Sequence, residues 1–144
     1  MRAVVTRVSS ASVEIDGVIT GEIGKGFLVL LGIKNSDTEA DVVKLAAKVC
    51  NLRVFADNEG KMNLDLSTVG GGILVISQFT LTADLTSNRP SFSRAAPPEQ
   101  AKELYEHFIA ACQTRFIKTA SGKFAADMRV FADNDGPFTL VIEG

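Results

Sequence analysis

The chain is a succession of short apolar runs broken by polar and glycine-rich punctuation, with two stretches of helical period set between them. Residues 2–8 (Arg2 to Val8) read as a strand, and Ala11, Val13 and Ile15 alternate with Ser12 and Glu14 as a half-buried strand should. Asp16-Gly17 then precedes Val18-Ile19-Thr20, a two-residue hairpin signal. Phe27 to Ile33 is apolar throughout apart from Gly32, has strand length, and follows Gly24 and Gly26, which predicts a central buried strand. Ser36-Asp37-Thr38-Glu39 is a capping-box pattern with Ser36 as N-cap. The helix it opens carries Val42, Leu45, Ala46, Val49 and Cys50 on one face and should end near Asn51. Leu52 to Phe55 reads as a strand, Asp57 to Gly60 as a turn, and Met62 and Leu64 as a short return.

The second half repeats the pattern. Ile73 to Ile76 emerges from Gly70-Gly71-Gly72 as a buried strand and runs on into Ser77-Gln78-Phe79-Thr80-Leu81. If the strand continues, Ser77, Phe79 and Leu81 share one face and Gln78 and Thr80 the other. Residues 82–97 form a long polar loop, a length often associated with function. Pro97-Pro98-Glu99 opens a second helix, where Ala101, Leu104, Tyr105, Phe108, Ile109 and Cys112 make the clearest amphipathic stripe. Residues 118–123 read as a polar connection, and Phe124 to Phe131 and Phe138 to Ile142 as the last two strands. Strands outnumber helices and most connections are short, so the expected class is α+β, mainly antiparallel, with two helices.

Composition narrows the class without changing it. At 144 residues the chain is one domain, 1–144, with 46% hydrophobic and 22% charged residues, as in a soluble globular protein. Cys50 and Cys112 show neither CxxC spacing nor a histidine cluster, and are expected to be reduced core thiols. No apolar segment suggests a signal peptide or membrane span, which makes the cytoplasm the expected location. A net charge of −2 argues against wholesale binding along a nucleic-acid duplex but allows a few local cations to hold one RNA end. Arg89, Arg94, Lys118 and Lys123 are candidates for that contact.

The chemistry is less conventional. The single histidine, His107, falls on the flank of the second helix, away from its apolar stripe, so a hydroxyl–imidazole–carboxylate triad is not available. Carboxylates such as Asp84 and Asp127 are scattered, with no metal-ligand spacing. The polar end of the Ile73–Leu81 stretch either finds backbone partners or binds something.

Two motifs point to a family. Ser77-Gln78-Phe79-Thr80-Leu81 and Asn134-Asp135-Gly136-Pro137-Phe138-Thr139 together resemble the paired signatures SQFTL and NxGPxT of the D-aminoacyl-tRNA deacylases. Gly60-Lys61-Met62-Asn63, Arg89-Pro90-Ser91-Phe92, Ala95-Ala96-Pro97-Pro98 and Phe124-Ala125-Ala126-Asp127-Met128 resemble the same family, so the likeness covers the whole chain. It implies barrel-like sheets with helices outside, a homodimer, and hydrolysis of the ester joining a D-amino acid, or glycine, to the tRNA 3′ end, without metal or cofactor. Ser77, Gln78, Phe79 and Thr80 would line the catalytic pocket, with backbone N–H groups near Phe79 and Thr80 stabilising the oxyanion. The substrate's own 2′-hydroxyl would orient the attacking water, with Thr80 as an alternative nucleophile. A cis Gly136–Pro137 bond, flanked by Asn134 and Thr139, would present its carbonyls to the partner subunit's pocket and exclude L side chains. Phe124 and Met128 would pack around the terminal adenine. One departure is Asp133 before Asn134, where the family usually has a more aliphatic run. The rival reading is a non-catalytic nucleic-acid-binding module on the same fold.

Overall fold

The computed structural model describes residues 1–144. Its organising strand is β1 (Arg2–Ile15), one 14-residue strand where the sequence suggests two. One edge of β1 pairs antiparallel first with β3 (Gly26–Gly32) and then, further along, with β2 (Val18–Ile23). The Asp16-Gly17 hairpin forms as expected, with both residues at positive φ. The other edge of β1 pairs with β8 (Arg129–Glu143), which is also a single strand, 15 residues long, in place of the two expected.

Beyond β3 the sheet changes sense. β3 pairs parallel with β6 (Gly72–Ser77), and β6 parallel with β7 (Lys118–Ser121), a strand where a connection is expected. The sheet is therefore mixed. Parallel neighbours need long crossovers, and here α1 (Glu39–Cys50) and α3 (Pro98–Gln113) lie within them. The ends of the strand order, β2 and β7, meet: a Cβ on Gly21 would stand 2.7 Å from the Ser121 carbonyl oxygen. The result is a nearly closed, barrel-like sheet. A small separate ribbon joins β4 (Phe55–Ala56) to β5 (Met62–Leu64), and a third, short helix, α2 (Leu66–Val69), follows it.

Two apolar cores result. Val8, Ala11, Val13, Leu28, Leu74 and Ile76 fill one side of the sheet. The larger core joins the other side to α1 and α3 through Phe27, Val29, Val75, Leu45, Val49, Leu104 and Phe108. Cys50 and Cys112 are both buried in it as free thiols. Their mutual hydrogen bond, with burial, pushes the Cys112 thiol up.

The cap of α1 lies two residues later than Ser36. The Thr38 hydroxyl accepts from Asp41 N (3.4 Å), and the Asp41 carboxylate accepts from Thr38 N (2.9 Å). Asp37 is drawn inward instead: its carboxylate accepts from the Met1 amine at 2.9 Å and from Lys34 N at 2.6 Å. No helix is long and apolar enough to cross a membrane.

Candidate functional site

The site begins where β6 stops. Ser77 is its last residue, and the chain turns into a 3₁₀ helix over Phe79–Thr82 instead of extending to Leu81. The expected alternation of faces therefore ends at Ser77. Gln78 N bonds back to Leu31 O (2.8 Å), and Leu81 N closes the turn on Gln78 O (3.2 Å). Gly32 makes the turn possible: a Cβ there would sit 2.8 Å from Leu81 Cβ and 3.0 Å from Gln78 O. At the head of such a turn the first N–H groups, those of Phe79 and Thr80, have no carbonyl within it to bond.

A cleft of about 520 Å³ opens beside this turn. Ser77, Gln78 and Phe79 form one wall, and Phe124 to Met128 another, with Ala96 and Ala101 between them. The lining is mostly apolar, a common composition for a small-molecule site. Phe124 lies in the link between β7 and β8, not on a strand, and its ring tilts against Tyr105 at 6.0 Å. Tyr105 donates to Val75 O at 2.7 Å, and burial pushes its phenol up to about 12. Phe79 is exposed and meets Phe92 of the long loop edge-on at 5.1 Å. The loop thus reaches the mouth of the cleft.

Thr80 does not line the cleft. Its hydroxyl oxygen accepts from Gln78 Nε2 at 2.6 Å. A hydroxyl that accepts an amide and has no base beside it is a poor nucleophile. His107 gives no help, because it pairs with Glu39 across the helices at 3.2 Å. Glu39, Glu103 and His107 bring potential ligand atoms within 4.8 Å of one another on the α1–α3 surface, a cluster that sequence spacing did not reveal. None of the three lines the cleft.

The second motif is elsewhere. Asn134, Gly136, Pro137 and Thr139 are exposed along β8 and contribute nothing to the cleft of their own chain. The Gly136–Pro137 bond is cis. Asp133 pairs with Ser10 of β1 and Asn134 with Val8, on either side of a register shift, so the departure sits at an irregular step in the ladder while the strand continues through it. Arg7, which sequence reasoning passed over, pins the segment. Its Nε donates to Asp135 O (3.2 Å), its Nη1 to Val54 O (2.6 Å), and its guanidinium lies 4.8 Å from the Phe138 ring centre. The signal that could have found it is a charged residue where alternation continues the apolar face of Ala3 and Val5.

Comparison with known proteins fits this geometry. The family model described as D-Tyr-tRNA(Tyr) deacylase matches residues 4–143. Proteins named D-aminoacyl-tRNA deacylase from Shewanella amazonensis and Pelobacter propionicus are 54% and 51% identical, each alignment covering 99% of both chains. Among solved structures, that of a c-Myc DNA Unwinding Element Binding Protein superposes with a TM-score of 0.93 at 41% identity, covering 100% of this chain and 99% of that one. A probable eukaryotic D-amino acid tRNA deacylase superposes at 0.84 with 14% identity, over 98% and 97% of the two chains, which speaks to fold alone. On the family match and the full-length identity, the chain belongs to the D-Tyr-tRNA(Tyr) deacylase family.

Proposed function

We propose that this chain hydrolyses the ester joining a D-amino acid, or glycine, to the 3′ end of tRNA, and does so in the cytoplasm. One observation carries the reading: a single cleft unites the polar end of β6 with the apolar Phe124–Met128 segment. Phe124 and Met128 would take the terminal adenine, leaving the ester against Ser77, Gln78 and Phe79. The N–H of Phe79, which lines the cleft, would then meet the developing oxyanion, a contribution worth about 10²–10³ in rate for one donor. The ribose 2′-hydroxyl, adjacent to the ester, would orient the water, so that positioning replaces a protein base. Thr80 supports Gln78 in this scheme through their hydrogen bond.

Chirality belongs to the β8 segment. Fixed by Arg7 and exposed except for the half-buried Phe138, Asn134 to Thr139 would enter the cleft of a second copy, making the working unit a homodimer. The Gly136 and Pro137 carbonyls would hold the substrate's amino group and leave no space for an L side chain. A pocket that merely favoured D side chains would discriminate by only about 10–200-fold.

Incubating the protein with D-Tyr-tRNA and L-Tyr-tRNA, without added metal, tests the reading: the D ester is cleaved and the L ester is not. Light scattering should give about twice the 15.4 kDa chain mass, and a fully active monomer defeats the cross-subunit part. The second reading, a nucleic-acid-binding module, is favoured by the 41% identical relative, which is named for binding a DNA unwinding element. Binding of tRNA with no release of amino acid from either ester would select it.

A further inference from the structure

A smaller concavity of about 250 Å³ lies against the other end of the 3₁₀ turn, where Leu81, Thr82 and Ala83 form its floor. Its remaining lining is charged: Arg2, Lys34, Arg94 and Glu143. The cations come from three separate parts of the chain, at the start of β1, just after β3, and in the 82–97 loop. The loop is tied there by Asn35 N to Arg94 O (2.9 Å) and Ala96 N to Ile33 O (3.0 Å), and is closed on itself by a reciprocal pair between Asp84 and Ser91 (2.8 and 3.0 Å).

Two carboxylates moderate these charges. Arg2 pairs with Glu143 and also donates to Leu81 O at 3.3 Å, while Arg94 lies 3.5 Å from Asp84. The Lys34 ammonium takes part in no ion pair; only its backbone meets Asp37, the N–H donating to the carboxylate (2.6 Å) and the carbonyl accepting from Asp37 N (3.1 Å). Three cations against two carboxylates leave one positive charge in excess, on a chain whose net charge is −2.

We propose that this cleft seats one backbone phosphodiester of the substrate RNA's 3′ strand, which deepens the deacylase reading and rests on it. A phosphodiester carries the single negative charge that the excess matches. Two arginine forks and a lysine suit its oxygens. The place also fits. At about 2.0 Å of rise per residue, the turn separates the cleft's floor from the ester by roughly 6–8 Å. That is about two nucleotides at the stacked spacing of about 3.4 Å. A strand whose last adenosine occupies the apolar cleft can cross the turn and place a phosphate here.

The test compares two esters, D-Tyr-tRNA and 3′-D-tyrosyl-adenosine, the second having no phosphate. With Lys34→Ala, KM for the tRNA ester should rise about tenfold with kcat unchanged. The slope of log(kcat/KM) against log[salt] should become shallower by about 0.7, the share of one single-strand phosphate. Hydrolysis of the adenosine ester should be unchanged, and Lys34→Arg should restore the tRNA KM. Glu143→Gln, which removes a competing carboxylate and keeps the shape, should lower KM for the tRNA ester alone. Unchanged tRNA KM and salt slope in Lys34→Ala overturn the proposal, as does an equal loss on both esters. If the wild-type protein cleaves neither ester, the deacylase reading fails. The cleft is then judged by direct tRNA binding, where the same change in salt slope supports it and an unchanged slope overturns it.

Discussion

The two signature segments are held in opposite ways. Ser77, Gln78 and Phe79 grow out of a strand buried along its whole apolar run and turn inward to a cleft made by their own chain. Asn134 to Pro137 stand in mid-strand, all exposed, held by the flanking pairs with β1 and by Arg7, and outside the cleft that the first segment lines. Fixing exposed backbone costs conformational entropy, about 1–2 kcal/mol per residue. The contrast teaches that one segment is placed at a cleft by its own chain, while the other is shaped where its own chain offers no cleft to it.

Arg7 is where this contrast is easiest to break. Arg7→Ala frees the Asp135 and Val54 carbonyls and loosens the β8 segment without touching the cleft. Displacement of about 1 Å in a site can cost 10²-fold, so kcat/KM on D-Tyr-tRNA should fall about a hundredfold. Arg7→Ala chains reassembled with Gln78→Ala chains should recover roughly a quarter of wild-type activity, because half the dimers are mixed and each has one intact site. No recovery on mixing would return both segments to a single chain.

A smaller effect sharpens the other side. A Cβ on Gly122 would overlap the Met128 sulfur and stand 3.3 Å from Ile76 Cδ1. The flexible thioether can yield, and the direction open to it is the cleft. Gly122→Ala should therefore raise KM about tenfold, the low end for one methyl group in an apolar pocket, with little change in melting temperature. An unchanged KM would remove Met128 from the binding surface.

Changes remote from both segments should leave activity alone. Thr38→Ala deletes the α1 cap and should cost about 1 kcal/mol, read as a melting shift of roughly 3–5 °C at wild-type kcat/KM. Acid should act similarly. Backbone N–H donors from Thr38, Lys61 and Thr68 hold Asp41, Asp57 and Asp65 below the ordinary carboxyl value of 3.8, and the Thr86 hydroxyl does so for Asp84. These groups bind protons more weakly folded than unfolded, so their stabilisation is full above pH 3.8 and fades as pH falls through the lowered values. Melting curves from pH 6 to 3 should show a smaller acid-induced drop in Asp57→Asn than in wild type.

Local pattern made much of this legible. The Asp16-Gly17 hairpin, the stripe of α3 and the β3 and β6 runs all follow from rules that operate within a few residues. The end of β6 was not legible, because an apolar run followed by Phe79 and Leu81 keeps strand alternation while Gly32, some 45 positions earlier, makes room for a turn. The length of β8 was hidden by Asn-Asp-Gly-Pro, which is turn chemistry in isolation. In the folded chain β1 absorbs it through register shifts between Thr6 and Val8 and between Val8 and Ser10. The parallel pairs are hidden because most connections are short and suggest hairpins, whereas the two long ones, through α1 and α3, join neighbours of the same sense.

The single-sided pairing of β8 has a bearing on solubility. A 15-residue strand bonded only to β1 offers a long row of open backbone groups to any passing chain, the usual seed of uncontrolled strand addition. Pro137 has no N–H to offer such a strand, and the bulged pairing bends the edge away from flatness. Arg129, Asp133, Asp135 and Glu143 scatter charge along it. Pro137 and these charges thus make the exposed edge of β8 a poor template for indiscriminate strand addition.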